Sequence, residues 1–304
     1  ISDREQEELV VRLLRLFHSK DSVTVGDEGL PIDDYGHKLG HFGRVGRHLT
    51  PTTMAILGLK SIGSASLVGL AEFDRTGDEL LPHVSLEKMA RWLLRSSIDR
   101  GDFMVYHMAF PWATYLLRPP WRSCLPEAFS GMFLILYGTA EKDERYVDCG
   151  VKHLKSLLAP VSEGGLMADN STVFLEYVSY ERRRRWPIVL NGHVYCLITL
   201  LNAWRILGIP EFRAVFRRAV PELENLLPIF EGPFFTYYDD YGNPATPFYH
   251  RIHVHLLDRL YELTRLPYLY ATANRWRGLL HRYNFTLSLL MRAFTLRIPY
   301  LPRR

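Results

Sequence analysis

Hydrophobic positions recur at helical spacing along most of the chain. Leu9, Val10, Leu13, Leu14 and Phe17 mark one face of a helix near the start. Leu86, Met89, Ala90, Leu93 and Leu94 repeat the i, i+3, i+4, i+7 pattern, as do Val147, Val151, Leu154 and Leu158. Further helices are predicted over 51–73, 122–138, 190–207, 211–227, 249–264 and 270–292. Thr50 before Pro51 reads as an N-cap followed by proline in the first helical position. Short breaks at Gly138-Thr139, Gly208-Ile209-Pro210 and Leu266-Pro267 join neighbouring helices. Stacked helix hairpins of this kind build either a superhelix or a closed α/α barrel or toroid. No internal repeat of a catalogued solenoid type is found.

Between the helices lie aromatic, Gly- and Pro-rich stretches over 23–49, 100–121, 160–189 and 228–248. They are long for plain connectors, and long loops on a rigid scaffold are where sites tend to sit. Phe234 to Asp239 reads as a short strand, with Tyr241-Gly242-Asn243-Pro244 turning after it. Nothing in the composition splits the chain. The expected architecture is one mainly α domain over 1–304, a toroid of helix hairpins with short β-hairpins in the connecting loops.

Composition changes this picture little. At 304 residues, 47% hydrophobic and 23% charged, the chain can bury a sizeable core and shows no mark of disorder. A net charge of +4 suits an anionic partner without requiring one. The three cysteines, Cys124, Cys149 and Cys196, form no CxxC pair and each lies in an apolar helical stretch, which reads as buried free thiols. The long apolar stretch from Trp186 to Leu207 carries Asn191, His193, Asn202 and Arg205, so a buried helix explains it better than a membrane span. A chain that opens on Ile1 is expected to be part of a longer product, so the absence of a leader decides nothing about compartment. The sequons at Asn170 and Asn284 are usable only in a secretory lumen.

The common catalytic signatures are missing: there is no P-loop, GxGxxG, HExxH or GxSxG. Three segments stand out instead. Phe174-Leu175-Glu176-Tyr177 is followed after eleven residues by Val189-Leu190-Asn191-Gly192-His193; next come Phe235-Thr236-Tyr237-Tyr238-Asp239 and Phe248-Tyr249-His250-Arg251-Ile252-His253. On a helix starting near Phe248, Tyr249 and His253 share a face, with His250 one step round. His253 and His255 diverge on that helix, and no carboxylate stands at metalloprotease spacing, so metal ligation is not expected. The run Arg182 to Arg185 reads as a solvated loop, a phosphate site or a glycan site. Arginine's planar fork suits carboxylate and sulfate. No RNA-binding signature accompanies the run, so nucleic acid is not the expected partner.

Taken in order, these segments resemble the C-terminal catalytic domain of the D-glucuronyl C5-epimerases, which convert glucuronate to iduronate in heparan-type chains. The matching residues are Glu176-Tyr177, Val189-Leu190-Asn191-Gly192, Thr236-Tyr237-Tyr238-Asp239 and Tyr249-His250 with His253, over about 174–263. Departures from the family pattern are Arg182 to Arg185, which replace small polar residues, and Tyr241, which stands where the family has an arginine. The family's β-rich N-terminal region is largely missing.

The resemblance implies an α/α barrel or toroid, a uronic-acid C5-epimerase, and an acidic polysaccharide such as heparosan as the partner. Epimerisation removes the C5 proton beside a carboxylate and returns one on the opposite face. It needs acid/base groups on both sides of the ring and positive charge for the enolate-like intermediate, and no cofactor. Tyrosines serve if cations lower their pKa. The resemblance implies acid/base roles for Tyr238 and Tyr249, with Glu176 and Tyr177 lining the site. His250, His253, Asn191, Arg251 and Arg185 are candidates to bind substrate, and Arg251 or the 182–185 run to supply the cation. A homodimer is compatible with the sequence. Other readings stay open: a polysaccharide lyase sharing the first deprotonation, a glycoside hydrolase using two of Asp169, Glu176, Asp239 and Asp240, or a non-catalytic acidic-glycan-binding domain.

Overall fold

Small polar residues just outside the apolar stretches set where the helices begin. In the computed structural model, which describes residues 22–26, 28–35, 39–40, 43–44, 46–181, 185–280 and 286–287, Thr50 caps α1 (Pro51–Ser61), Ser85 caps α2 (Leu86–Ser96), Ser123 caps α3 (Cys124–Glu141) and Asp143 caps α4 (Glu144–Ser156). Four more helices follow: α5 (Leu190–Leu207), α6 (Pro210–Leu226), α7 (Pro247–Thr264) and α8 (Pro267–Arg277). Thr246 caps α7, and Pro210, Pro247 and Pro267 occupy the first helical position, where a missing N–H costs nothing. The predicted helix over 9–17, Arg182 to Arg184, positions 36–38, 41–42 and 45 of the 23–49 stretch, Asn284 and the end of the 270–292 helix lie outside the described residues.

Each odd-numbered helix packs against the even-numbered one after it, and α1, α3, α5 and α7 pack on one another in sequence. Burial separates the two layers. The inner helix α5 is buried on every side from Leu190 to Ala203, whereas α6 buries one stripe of Phe212, Val215, Phe216, Ala219, Val220 and Leu223. The α3–α4 hairpin closes backbone to backbone, because a Cβ on Gly150 would stand 2.6 Å from the Gly131 carbonyl oxygen.

Short antiparallel ladders fill the loops. β1 (Ser22–Val25), β2 (Pro31–Asp34) and β5 (Arg47–His48) form one sheet, and β3 (Leu39–Gly40) pairs with β4 (Gly43–Arg44). β6 (Ile98–Asp99) pairs with β7 (Met104–Val105), and β8 (Trp121–Arg122) with β9 (Val178–Ser179). This is the α/α toroid of helix hairpins, with small β-hairpins between helices, that the hydrophobic pattern predicts.

Two elements differ from expectation. The helix predicted over 51–73 stops at Ser61 because Gly63 turns left-handed at φ 67°, and the chain resumes as a single 3₁₀ turn over Ala65–Val68. The strand predicted over 234–239 is instead a set of single bridges to three segments, Glu231–Thr236, Tyr237–Pro244 and Asp239–Val189. Asp239 accounts for the difference, since its side chain accepts from the backbone of Tyr241 and Asn243 and folds the chain into a turn. Among the described residues, no helix is long and apolar enough to cross a membrane.

One charged pair is sealed inside the α3–α4 hairpin. Glu127 and His153 have no exposed side-chain surface, and Nδ1 of His153 donates to Oε2 of Glu127. The other carboxylate oxygen accepts from Tyr106 N at 2.7 Å, and the Tyr106 ring stacks on the imidazole at 4.1 Å. Ser97 Oγ donates to the Leu93 carbonyl at 2.8 Å, which leaves its lone pairs to accept from His153 Nε2 at 2.7 Å. Both ring nitrogens therefore donate. Burial pulls the imidazole down, but the Glu127 carboxylate beside it lifts it to about 9.

Candidate active site

The inner helices α1, α3, α5 and α7 each lead into an outer partner. Their first turns meet at one cavity of about 670 Å³, whose wall includes Thr53, Leu125, Asn191 and Tyr249. Glu176, Asp74 and Arg251 also line it. The helix N-terminal ends bring partial positive charge to the cavity, which favours an anionic ligand. Side chains cap α1, α3 and α7 there, but no side chain caps α5.

Glu176 reaches this wall from the segment before β9. Its Oε1 accepts from the Tyr238 hydroxyl at 3.2 Å, and that hydroxyl lies 3.4 Å from the one of Tyr177. Oε2 of Glu176 is buried without a partner. It fits against α5 only because residue 192 is glycine, since a Cβ there would stand 2.6 Å from Oε2. Oδ1 of Asn191, one residue earlier, is likewise buried without a partner. Two residues lining one cavity therefore each hold a buried acceptor without a donor, and such acceptors are costly unless a ligand satisfies them.

Burial pushes Glu176 up to about 7, against the pull of the Tyr177 and Tyr238 hydrogen bonds. Tyr249 packs edge-on to Tyr238 with ring centres 4.9 Å apart. Burial, Glu176 and Asp74 push its phenol above the ordinary value. Tyr177 and Tyr238 are raised as well, burial first and the Glu176 charge second. Burial is the largest cause of all three shifts. In the ligand-free protein they are neutral donors, and Glu176 is the group poised to change charge near neutrality.

An aromatic wall stands behind Tyr177. Trp112 stacks on it at 6.1 Å, Trp121 packs at 5.7 Å and Tyr115 at 4.6 Å. The Tyr115 hydroxyl donates to Asp239 Oδ2 at 2.5 Å, tying the wall to the turn that follows Tyr238.

The structure thus brings Glu176, Tyr177, Tyr238, Tyr249 and Asn191 together, with Arg251 on the same cavity. Arg251's guanidinium lies 5.2 Å from the centre of the Phe73 ring. It does not bring His250 or His253 to the cavity. His250 stacks on Phe235 at 3.9 Å, its Nε2 donates to the Trp276 carbonyl at 2.9 Å, and its Nδ1 accepts from Thr236 Oγ1 at 2.8 Å. His253 Nδ1 in turn donates to the same Thr236 oxygen at 3.1 Å. Burial lowers His250 to about 4 and His253 to about 3, so both are neutral and brace α7 against the 236 segment and α8. The face shared by Tyr249 and His253 does not reach one cleft, because His253 is a turn deeper, where Thr236 and Trp276 cover it. Arg185 is also elsewhere: it pairs with Asp240 and lies 5.4 Å over the Tyr241 ring.

Sequence reasoning missed Asp74 and the packing role of Gly192. Asn191-Gly192 at a helix start was a visible signal for the second, whereas Asp74 carries no motif. Among the described residues, no three His, Cys, Asp or Glu side chains are placed to hold a metal ion.

No curated protein matches the chain. Among solved structures, a family 76 glycoside hydrolase from a bovine Bacteroides thetaiotaomicron strain superposes with a TM-score of 0.50 at 12% identity, covering 86% of this chain and 54% of that one. A GH76 alpha-mannanase from Bacteroides thetaiotaomicron is similar with a TM-score of 0.42 at 10% identity, over 72% of this chain and 55% of that one. The first likeness is one of fold alone, and the chain spans about half the length of these structures. A family model of the D-glucuronyl C5-epimerase C-terminus matches residues 100–278, more than half of the 304 residues and the whole of the Glu176–Tyr249 cluster, and the chain belongs to that family.

Proposed function

We propose that this chain is the catalytic toroid of a uronic-acid C5-epimerase acting on a glucuronate-containing polysaccharide. The observation that carries the reading is the meeting of a buried carboxyl group, Glu176, and a neutral phenol, Tyr249, on the wall of one cavity at the N-terminal ends of four helices. Ionised Glu176 takes the C5 proton, and the electron pair of that bond moves into the substrate carboxylate to give an enolate-like intermediate. Tyr249 then delivers its phenolic proton to C5 from the opposite face. This leaves the proton on Glu176 and a phenolate at Tyr249, so a proton passes between them through solvent before the next turnover. Tyr238 and Tyr177 hold and tune Glu176, and the uncapped start of α5 with Arg251 offsets the growing negative charge.

The test is incubation with an unsulfated glucuronate polymer in deuterated water, with NMR detection at C5. Deuterium at C5 together with iduronate signals is expected, lost in Glu176→Gln and in Tyr249→Phe. Near-ultraviolet absorbance without iduronate would move the assignment to a lyase. Absence of exchange across several uronate polymers would overturn it. A second reading draws on Asp74, because Glu176 and Asp74 supply two carboxyl groups to the same cavity, as glycoside hydrolysis requires. New reducing ends in the same incubation, lost in Asp74→Asn, would support that reading instead.

A further inference from the structure

The β8–β9 ribbon separates two aromatic faces. Trp121 stands opposite Ser179 and Arg122 opposite Val178, so Trp121 and Tyr177 share the face towards the cavity while Arg122 and Tyr180 share the other. On that outer face the Arg122 guanidinium lies 4.7 Å from the Tyr180 ring centre and the Arg100 guanidinium 5.8 Å. Arg100 also donates to the Tyr180 hydroxyl at 2.8 Å, and Nε2 of His107 hydrogen-bonds the same oxygen. Two guanidiniums and an imidazole thus converge on one phenol.

Among the described residues, no carboxylate forms an ion pair with the cluster. Arg122 is only 2% exposed; it donates to the carbonyls of Gly164 and Gly165, and its Nε has no partner. The acids adjacent in sequence are held elsewhere, Asp99 by Lys152 at 3.1 Å and Glu181 by Arg118 at 3.8 Å. The Glu127 carboxylate acts on Arg122 through space, but its oxygens are already held by His153 and Tyr106 N, and the field of the buried guanidinium is weakly screened at the nearby surface. Burial first, and then the two guanidiniums, pull His107 below the ordinary histidine value. Tyr180 is 47% exposed, so the cluster is open to solvent.

We infer that Arg100, His107, Arg122 and Tyr180 form a second oxyanion site, on the opposite side of the ribbon from the cavity, for a carboxylate or sulfate of an acidic saccharide. Guanidinium forks match the oxygens of such a group. The choice of a saccharide rests on the proposed function; the oxyanion site rests on the charge arrangement alone.

The experiment uses the Glu176→Gln protein, so that binding is read with the proposed chemistry switched off. Inorganic sulfate and an unsulfated glucuronate oligosaccharide are titrated separately, and the His107 ring resonances are followed by NMR across pH. Both ligands are expected to raise the His107 titration midpoint, and Arg100→Gln is expected to weaken each by about tenfold or more. A response to sulfate but not to the oligosaccharide overturns the saccharide assignment. No response to either, or equal affinity in Arg100→Gln, overturns the site. Failure of the epimerase reading alone leaves the sulfate response intact. Tyr180→Phe, which keeps the ring under both guanidiniums, serves if Arg100→Gln perturbs the fold, and is expected to weaken sulfate binding by losing the hydroxyl.

Discussion

Glu127 and Glu176 are both buried carboxyl groups on the same toroid, some fifty residues apart, and they are held in opposite ways. Glu127 has both oxygens occupied, one by Tyr106 N and one by His153. Its partner is an imidazolium whose other nitrogen is also satisfied, so this charge pair is complete and closed to solvent. Glu176 has one oxygen held by Tyr238 and the other without a partner at a cavity of about 670 Å³. A satisfied buried pair fixes structure, whereas a half-satisfied buried acid at a cavity keeps its proton affinity near neutrality and waits for a ligand.

The largest effect expected is on turnover. Glu176→Gln should cut C5 exchange by about 10²- to 10⁴-fold, the usual span for a general base, while leaving the unfolding midpoint nearly unchanged at acid pH and raising it above neutrality, where the burial penalty of the ionised carboxyl is removed. Glu127→Gln should do the reverse. It strands the His153 charge in the core and should destabilise the fold by about 3–5 kcal/mol in denaturant titrations, with little change in turnover while the protein remains folded. Equal loss of stability in both variants would erase the distinction between the two acids.

The pH dependence of stability separates them again, in adjoining windows. Glu176 rises from its ordinary 4.5 to about 7 on folding, so its burial penalty is absent below pH 4.5, grows above it and is complete above about 7. His153 rises from 6.5 to about 9, so its contribution is full below pH 6.5 and is lost as pH climbs through 9. Each shift corresponds to about 3 kcal/mol. His250 and His253, depressed to about 4 and about 3, contribute the opposite slope below pH 6.5, so the two effects are read as differences: Glu176→Gln should gain stability on the unmodified protein between pH 4.5 and 7, and the unmodified protein's lead over His153→Gln should shrink between pH 6.5 and 9.

Gly192 sharpens the contrast at smaller cost. A methyl there would meet Glu176 Oε2 at 2.6 Å, so Gly192→Ala should displace the carboxyl and lower kcat on the order of ten- to a hundredfold. Alanine favours the helix by about 1 kcal/mol, so stability should not fall with it. A variant that unfolds instead would mark Gly192 as a packing residue only.

Much of the scaffold was legible in the sequence because helices and caps are local. The Thr50-Pro51 start reappears as drawn, and so does a helix over Val147 to Leu154, although its buried stripe runs through Tyr146, Cys149, Gly150, His153 and Leu154 and it ends at Ser156. The site was legible only as order along the chain. Helical spacing shows that Tyr249 and His253 share a face, yet cannot say that the cavity ends above Tyr249 and that Trp276 and Thr236 close over the turn below. The contact of Glu176 with Gly192 joins two stretches through the fold of the intervening loop, and no period or composition encodes it. Asp74 and the Arg100–Tyr180 cluster are invisible for the same reason: their meaning lies in which distant groups they approach.

The smallest effect tests how Glu176 is tuned. The Tyr238 hydroxyl stabilises the ionised carboxyl through the hydrogen bond to Oε1, so it holds the Glu176 pKa below what burial alone would set. Tyr238→Phe removes that donor, and Tyr177, left without its hydroxyl partner at 3.4 Å, retains its own pull on the carboxyl. The pKa should therefore move up but not reach the value for an unassisted buried acid. Since the reaction needs Glu176 ionised, the acid limb of kcat/KM should shift to higher pH, and the loss of rate should be greater at pH 6 than at pH 8. Direct titration of the Glu176 carboxyl carbon by NMR checks the shift without reference to turnover. If the midpoint moves up while the rate at high pH recovers, Tyr238 acts through Glu176; if the rate is lost equally at every pH, Tyr238 exchanges a proton with substrate itself.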